Sequence, residues 1–156
     1  MSDATTTAAT AAPTTGTCLC GAITLTIPAA AVPLKSMSCY CTHCAKNAGG
    51  PYQTNAMFAT TDISVSDPQG QLRTYSILDT FSGKPKEKAF CGTCGCTFYT
   101  RPGHHEGKMT VVKTGILDAG AIASFQPKVE LYARDRPQFC QALEGTKQFD
   151  TMPMTH

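Results

Sequence analysis

The sequence has few charged residues and no long apolar run. Charged side chains make up 15% of its 156 residues, and the formal net charge is +2. So small a balance creates no basic field that would attract nucleic acid or anionic lipid, and we expect neither as a partner. No segment is both long enough and apolar enough to cross a membrane. We therefore expect a soluble protein with one domain and a modest core.

The N-terminal stretch lacks the features of a targeting segment. Residues 1–15 are rich in Ala and Thr and contain neither Lys nor Arg nor an unbroken apolar run, so they predict no secretory signal and no transit peptide. We interpret residues 1–15 as a disordered tail, 16–145 as the folded domain and 146–156 as a loosely ordered C-terminal tail. A cytoplasmic location follows as an expectation. In such a reducing compartment, clustered cysteines are more typical of metal sites than of disulfides.

The pattern of the folded part is mainly β with little helix. Short runs rich in Val, Ile, Thr, Tyr and Phe alternate with Gly, Pro, Asp and Ser. One short helix is predicted over residues 42–47, and a second helical turn over 137–143. The predicted strands span residues 22–27, 34–39, 54–59, 63–66, 72–77, 86–90, 97–100, 109–114 and 129–132.

Cysteine is the abundant residue that carries chemistry here. Eight of the nine cysteines lie in three tight clusters. Residues two or three apart in a tight turn can direct both sulfurs at one ion, so the clusters predict metal sites, with zinc as the expected ion at two per chain. The clusters are Cys18 with Cys20, then Cys39, Cys41 and Cys44, then Cys91, Cys94 and Cys96.

The number of sulfurs at each site bears on function. Zinc accepts four thiolates in a closed structural site, whereas three protein ligands leave a position where chemistry can occur. The first cluster together with Cys91 and Cys94 could close one site. The middle cluster supplies three thiolates and is one ligand short of a tetrahedron.

Two further residues leave alternatives open for the middle site. Cys96 is a candidate fourth ligand that would close the middle site, or else a reactive thiol beside an open one. His43 is a candidate zinc ligand or proton relay, although an outward-facing or supporting position is favoured for a histidine among three cysteines. Cys140, by contrast, fits an ordinary buried thiol.

The three clusters in their order carry a family resemblance. Residues 16–23 read Gly-Thr-Cys-Leu-Cys-Gly-Ala-Ile, the middle cluster reads Cys-x-Cys-x-x-Cys, and the third follows Phe90 as Cys-x-x-Cys-Gly. This arrangement resembles the glutathione-dependent formaldehyde-activating enzyme family, also called the GFA or CENP-V/GFA family. The match covers residues 16–139. Weaker matches lie at 49–52, 115–118 and 136–139.

The resemblance implies a small β fold of the Mss4-like kind with two zinc sites. It implies a zinc-dependent carbon–sulfur lyase that adds a thiol such as glutathione to formaldehyde or another small carbonyl, or reverses that addition. Founding members form S-hydroxymethylglutathione, and the partners implied are a small-molecule thiol and a carbonyl compound. Carried over by motif, the structural zinc takes Cys18, Cys20, Cys91 and Cys94. The catalytic zinc takes Cys39, Cys41 and Cys44.

Departures from the family pattern keep two other functions in view. Cys96 stands where many members carry Thr or another small residue, and the chain has no Trp, so the lining of the pocket differs. One alternative is a tailoring enzyme of the same fold that uses zinc as a Lewis acid on a secondary metabolite. The other is a non-catalytic, zinc-stabilised binding module, for which a middle site closed by Cys96 is the expected signature.

Overall fold

Strands dominate the computed structural model, which describes residues 11–153. This confirms the predicted mainly β fold class. The one α-helix of the described residues is α1 (Thr42–Ala48), and no helix among them has the length and apolarity to span a membrane. The strands are β1 (Thr14–Thr17), β2 (Thr24–Ile27), β3 (Lys35–Cys39), β4 (Gln53–Ala59), β5 (Ser64–Ser66), β6 (Leu72–Ile77), β7 (Lys86–Cys91), β8 (Thr97–Pro102), β9 (Met109–Lys113), β10 (Val129–Leu131) and β11 (Lys147–Phe149).

The strands form two sheets. The smaller sheet has the order β1-β2-β5 and is antiparallel. The larger has the order β11-β10-β3-β4-β9-β8-β7-β6. In the larger sheet β10 runs parallel to both β3 and β11, and the remaining pairs are antiparallel. Strands β3, β4 and β9 therefore lie side by side at the centre of the sheet.

The two faces of the larger sheet carry different cores. Successive residues of a strand point to opposite faces. Even-numbered residues of β4, such as Ala56 and Phe58, belong to the main core together with Leu25 of the smaller sheet. The odd-numbered face carries a second, smaller core built on Met37, Cys39, Cys44 and Leu131. Each core contains cysteines of one candidate metal site.

All nine predicted strands are present, with ends that differ by at most two residues, and the predicted helix at 42–47 is α1. Two strands were missed. Strand β1 begins at Thr14, inside the predicted N-terminal tail, and β11 lies inside the predicted C-terminal tail. Both are short and are stabilised by pairing with distant strands, β1 with β2 and β11 with β10. Residues 1–10 and 154–156 of the predicted tails lie outside the described residues.

The predicted helical turn over 137–143 is wrong as a helix. Only one turn forms there, in which the backbone N–H of Cys140 donates to the carbonyl of Pro137 at 2.9 Å. The backbone N–H of Leu143 donates instead to the carboxylate of Glu130 at 3.0 Å. A side-chain acceptor from a distant strand thus replaces the carbonyl that a helix would have supplied.

Glu130 is a fully buried carboxylate that ties the C-terminal segment to the larger sheet. Besides the Leu143 bond, it accepts hydrogen bonds from Tyr40 at 2.8 Å, Arg136 at 3.2 Å and Thr146 at 3.1 Å. One of these bonds goes to Oε1 and three go to Oε2, so both oxygens have donors, which a buried charge requires. Burial, and then Glu130 itself, raise the pKa of Tyr40 to about 12. The neighbouring Leu131 pairs with Cys39, so Glu130 also steadies the strand beside the middle cluster.

We expect Glu130→Ala to lower the free energy of unfolding by roughly 3 kcal/mol or more, because it leaves the Arg136 charge without its partner. Urea denaturation followed by circular dichroism measures this. The matched control is Glu144→Ala, which removes an exposed carboxylate. Equal stability of the two variants would show that the Glu130 network does not anchor the C-terminal segment.

Candidate metal centres and the adjoining cleft

Four cysteines from two distant stretches of chain meet in the first group. The sulfurs of Cys18, Cys20, Cys91 and Cys94 all lie within 4.8 Å of one another. The Sγ of Cys20 is 3.5 Å from that of Cys18 and 3.6 Å from that of Cys91. These four residues could hold a metal ion, as the clusters predict.

Two tight turns aim these sulfurs. In the first, the N–H of Gly21 donates to the carbonyl of Cys18 at 2.9 Å, and in the second the N–H of Gly95 donates to the carbonyl of Cys91 at 2.9 Å. Both glycines have positive φ, of 75° and 77°. Residues with a side chain rarely adopt that conformation, which explains the glycine that follows each cysteine pair.

Asp118 fixes the strand that leads into the first turn. Its carboxylate accepts hydrogen bonds from the Thr15 hydroxyl at 3.0 Å and from the Thr17 hydroxyl and backbone N–H at 2.9 and 3.1 Å. Burial opposes ionisation of Asp118, but the bonds from Thr17 and Thr15 outweigh it and lower the pKa. The weak sequence match at 115–118 therefore has a structural role in the described fold.

The second group is local and contains three cysteines. The sulfurs of Cys39, Cys41 and Cys44 lie within 4.8 Å of one another. Cys39 ends β3, Cys41 is the N-cap of α1, and Cys44 lies inside that helix. Cys39 and Cys44 are buried and Cys41 is partly exposed. No further Cys, His, Asp or Glu of residues 11–153 joins this group.

Both donor sets fit zinc. A tetrahedral zinc with bonds of about 2.3 Å separates its sulfurs by about 3.8 Å, which agrees with the compactness of both groups. Thiolates are the soft ligands that zinc takes in proteins, and the first group completes a four-sulfur set. The second group offers three sulfurs, so its donor set is one short of a closed site.

Because the three sulfurs of the second group are close together, their pKa values shift in opposite directions. Hydrogen bonds from Cys39 and Cys44 lower the pKa of Cys41 to about 2, and Lys86 adds a favourable positive charge. The pKa of Cys39 is raised, first by Cys41 and Cys44 and then by burial. One thiolate therefore forms readily at the expense of its neighbours. A divalent cation would remove this penalty, because it attracts all three sulfurs as anions.

The structure does not bring Cys96 or His43 into either group. The Cys96 thiol lies next to Cys94 and the backbone of Leu19 instead of the middle cluster. The carbonyl of Cys96 accepts from the N–H of Cys91 at 2.9 Å, which holds this residue in the turn of the first group. His43 is a partly exposed residue of α1. Cys140 also stands apart from both groups and is partly buried.

Lys113 is a feature of this site that the sequence analysis missed. Its side chain is only 4% exposed, and Nζ donates to Asn55 at 2.8 Å and to Thr100 at 3.1 Å. Burial lowers its pKa to about 8, against the opposing effect of the negative charge on Cys44. Lysine is almost never fully buried without a functional or paired partner. The sequence gives only a weak signal for it, a lysine that follows the apolar residues of a predicted strand.

A cleft of about 420 Å³ is lined by residues from α1, β4, β8 and β9. Cys96 and Lys113 both line it, as does Gln53, which pairs with Cys39 across β3 and β4. Gln53 is 8% exposed, and its Oε1 has no hydrogen-bond partner in the described part of the chain. Tyr52 also lines the cleft and packs on Tyr40 with ring centroids 5.1 Å apart.

A match to a family model decides which family the chain belongs to. The model described as "Glutathione-dependent formaldehyde-activating enzyme" matches residues 13–135, most of the chain. The chain belongs to this GFA family. The resemblance inferred from the three cysteine clusters is thereby confirmed.

Other comparisons bear on the fold of this GFA-family chain. The crystal structure of a protein from Rhodobacter sphaeroides is similar, with a TM-score of 0.54 and 19% sequence identity, over 72% of this chain and 96% of that one. At that identity the likeness concerns the fold alone. No curated protein matches the sequence.

We expect the zinc-loaded protein to contain two zinc atoms per chain, one for each group of sulfurs. Cys91→Ser and Cys41→Ser should each reduce the content to one. Only Cys91→Ser should also lower stability strongly, by about 3 kcal/mol or about 10 °C in Tm, because Cys91 lies in the main core and joins distant segments. Elemental analysis and thermal unfolding measure the two effects. Full zinc content in Cys41→Ser would contradict metal binding at the second group.

Proposed function

We propose that this protein is a zinc-dependent carbon–sulfur lyase that adds a thiol such as glutathione to formaldehyde or another small carbonyl, or reverses that addition. The observation that carries the proposal is the second group of sulfurs, which supplies three ligands, one of them on Cys39, the residue paired with Gln53 of the cleft wall. Family membership supports the same chemistry. Metal-ligating thiols also support a reducing, cytoplasmic location as part of the proposal.

The incomplete donor set favours this function over a binding module. A closed site using Cys96 is the signature expected of a purely structural second zinc, and Cys96 lies with Cys94 instead. Cys39, Cys41 and Cys44 would hold zinc, while Cys18, Cys20, Cys91 and Cys94 would hold the structural ion. Bound zinc would lower the pKa of a thiol and polarise a carbonyl oxygen.

The residues around the cleft have simple tasks in this reaction. The S–H of the thiol adds across C=O, so that a carbon–sulfur bond forms and the proton passes to the carbonyl oxygen, without an oxidant or reductant. Gln53, Lys113 and Tyr52 line the space in which the two reactants would meet. Their task is to orient the reactants, since well-oriented neighbours can supply much of the acceleration for a two-substrate step.

Exchange NMR with ¹³C-formaldehyde and glutathione tests the activity. We expect the zinc-loaded protein to accelerate adduct exchange at least about a hundredfold over the spontaneous rate, and Cys41→Ser to abolish the acceleration. Cys140→Ser is the matched control, since Cys140 lies outside both groups. A fully loaded wild-type protein that gives only the spontaneous rate would reject this pair of substrates. Turnover of another small aldehyde under the same conditions would retain the reaction class and change the carbonyl partner.

A further inference from the structure

Lys113 is a buried cation without a carboxylate partner. Within residues 11–153, no Asp or Glu oxygen lies within 4.0 Å of its Nζ. Asn55 and Thr100 offer neutral oxygens, which satisfy two of the three N–H groups but do not balance the charge. Burial of an uncompensated charge is costly, so the charge needs an anion nearby.

The groups nearby that can carry negative charge are the sulfurs of the second group. Lys113 pairs with Asn55, and Gln53, two residues along β4, pairs with Cys39, so Lys113 and Cys39 lie on the same face of the sheet. Cys44, Cys39 and Cys41 each favour the charged form of Lys113. Three thiolates around one divalent zinc carry a net charge of −1, which Lys113 offsets. Lys86 adds a second positive charge in the same region, since it favours the thiolate of Cys41 and opposes the charge of Lys113. With both lysines charged, the loaded group has room for one more negative charge.

Gln53 is a second, independent reason to expect a ligand in the same cleft. Its Oε1 is buried and unpaired, although a buried acceptor normally has a donor. Gln53 and Lys113 both line the cleft, so a ligand there lies next to both residues. A ligand with an N–H group would satisfy the acceptor, whereas its sulfur would bring the additional negative charge.

We propose that Lys113 is a positioning residue that makes the second cysteine group accept the substrate sulfur as an anion, and that Gln53 selects thiols that carry an N–H donor. This inference rests on the proposed function, because it concerns the thiol partner of the same site.

Thiol binding to the cobalt-loaded protein tests the role of Lys113 without any carbonyl substrate. Glutathione and 2-mercaptoethanol are titrated separately, and binding is followed by the sulfur-to-cobalt charge-transfer absorption. Lys113→Met should weaken binding of both thiols about tenfold or more and shift the pH midpoint of binding upward, because a nearby positive charge favours the thiolate. Lys113→Arg should restore most of the affinity.

Matched variants separate charge from packing. Lys108→Met removes an exposed lysine that pairs with Glu106, and it should bind both thiols like the wild type. Should Lys113→Met fail to fold, Lys113→Gln keeps a donor for Asn55 and Thr100 and is measured instead. Equal weakening by Lys113→Gln and Lys113→Arg would assign Lys113 a packing role and overturn the inference.

Gln53 is distinguished by the choice of thiol. Gln53→Met should weaken glutathione binding and leave 2-mercaptoethanol, which has no N–H, unchanged. Equal losses for the two thiols would overturn the selectivity assigned to Gln53. A wild-type protein that binds neither thiol would overturn the whole inference. If thiol binding depends on Lys113 but the formaldehyde assay gives only the spontaneous exchange rate, the inference about Lys113 is upheld and only the proposed reaction is rejected.

Discussion

Repulsion among crowded sulfur anions is the constraint on which the rest of this structure depends. In both groups the sulfurs lie within 4.8 Å of one another, too close for several to ionise without a cation. The two groups meet this constraint differently. The first joins residues 71 positions apart and so acts as a cross-link between the smaller sheet and the end of β7. The second lies within six residues, so a metal bound there would cross-link little of the chain and could have a chemical role instead of a structural one.

The buried charged residues Glu130 and Lys113 differ in the same way, one serving the fold and the other the site. Glu130 accepts four hydrogen bonds, one of them from Arg136, and is therefore fully compensated within the fold. Lys113 has neutral oxygen partners only, and the groups that balance it are cysteine sulfurs. Compensated burial is what a structural anchor requires, whereas a buried cation without a carboxylate partner favours anions nearby. The contrast supports the role proposed for Lys113.

Local signals made most of the strands and the second metal group predictable. Strong β-propensity and cysteines two or three residues apart can be recognised from neighbouring residues alone. The union of Cys18 and Cys20 with Cys91 and Cys94 spans 71 positions, and the order of the clusters, through the family resemblance, is what predicted it. Strands β1 and β11 depend on distant pairing, and Lys113 meets Asn55 across two strands that are 58 residues apart in sequence. The helix predicted at 137–143 is absent for the same reason. The N–H of Leu143 donates to the carboxylate of Glu130 in β10 and not to a carbonyl within a helix. Such contacts leave little trace in one sequence.

The position of Cys96 connects the first group of cysteines with the incomplete donor set of the second group. The turn that brings Cys91 and Cys94 together also bonds the carbonyl of Cys96, so closing the first group holds this thiol beside it. Burial raises the pKa of the Cys96 thiol, and the neighbouring Cys94 raises it further. Cys96 lines the cleft as a small polarisable surface. The additional cysteine of this chain changes the wall of the cleft and leaves the three-sulfur set incomplete.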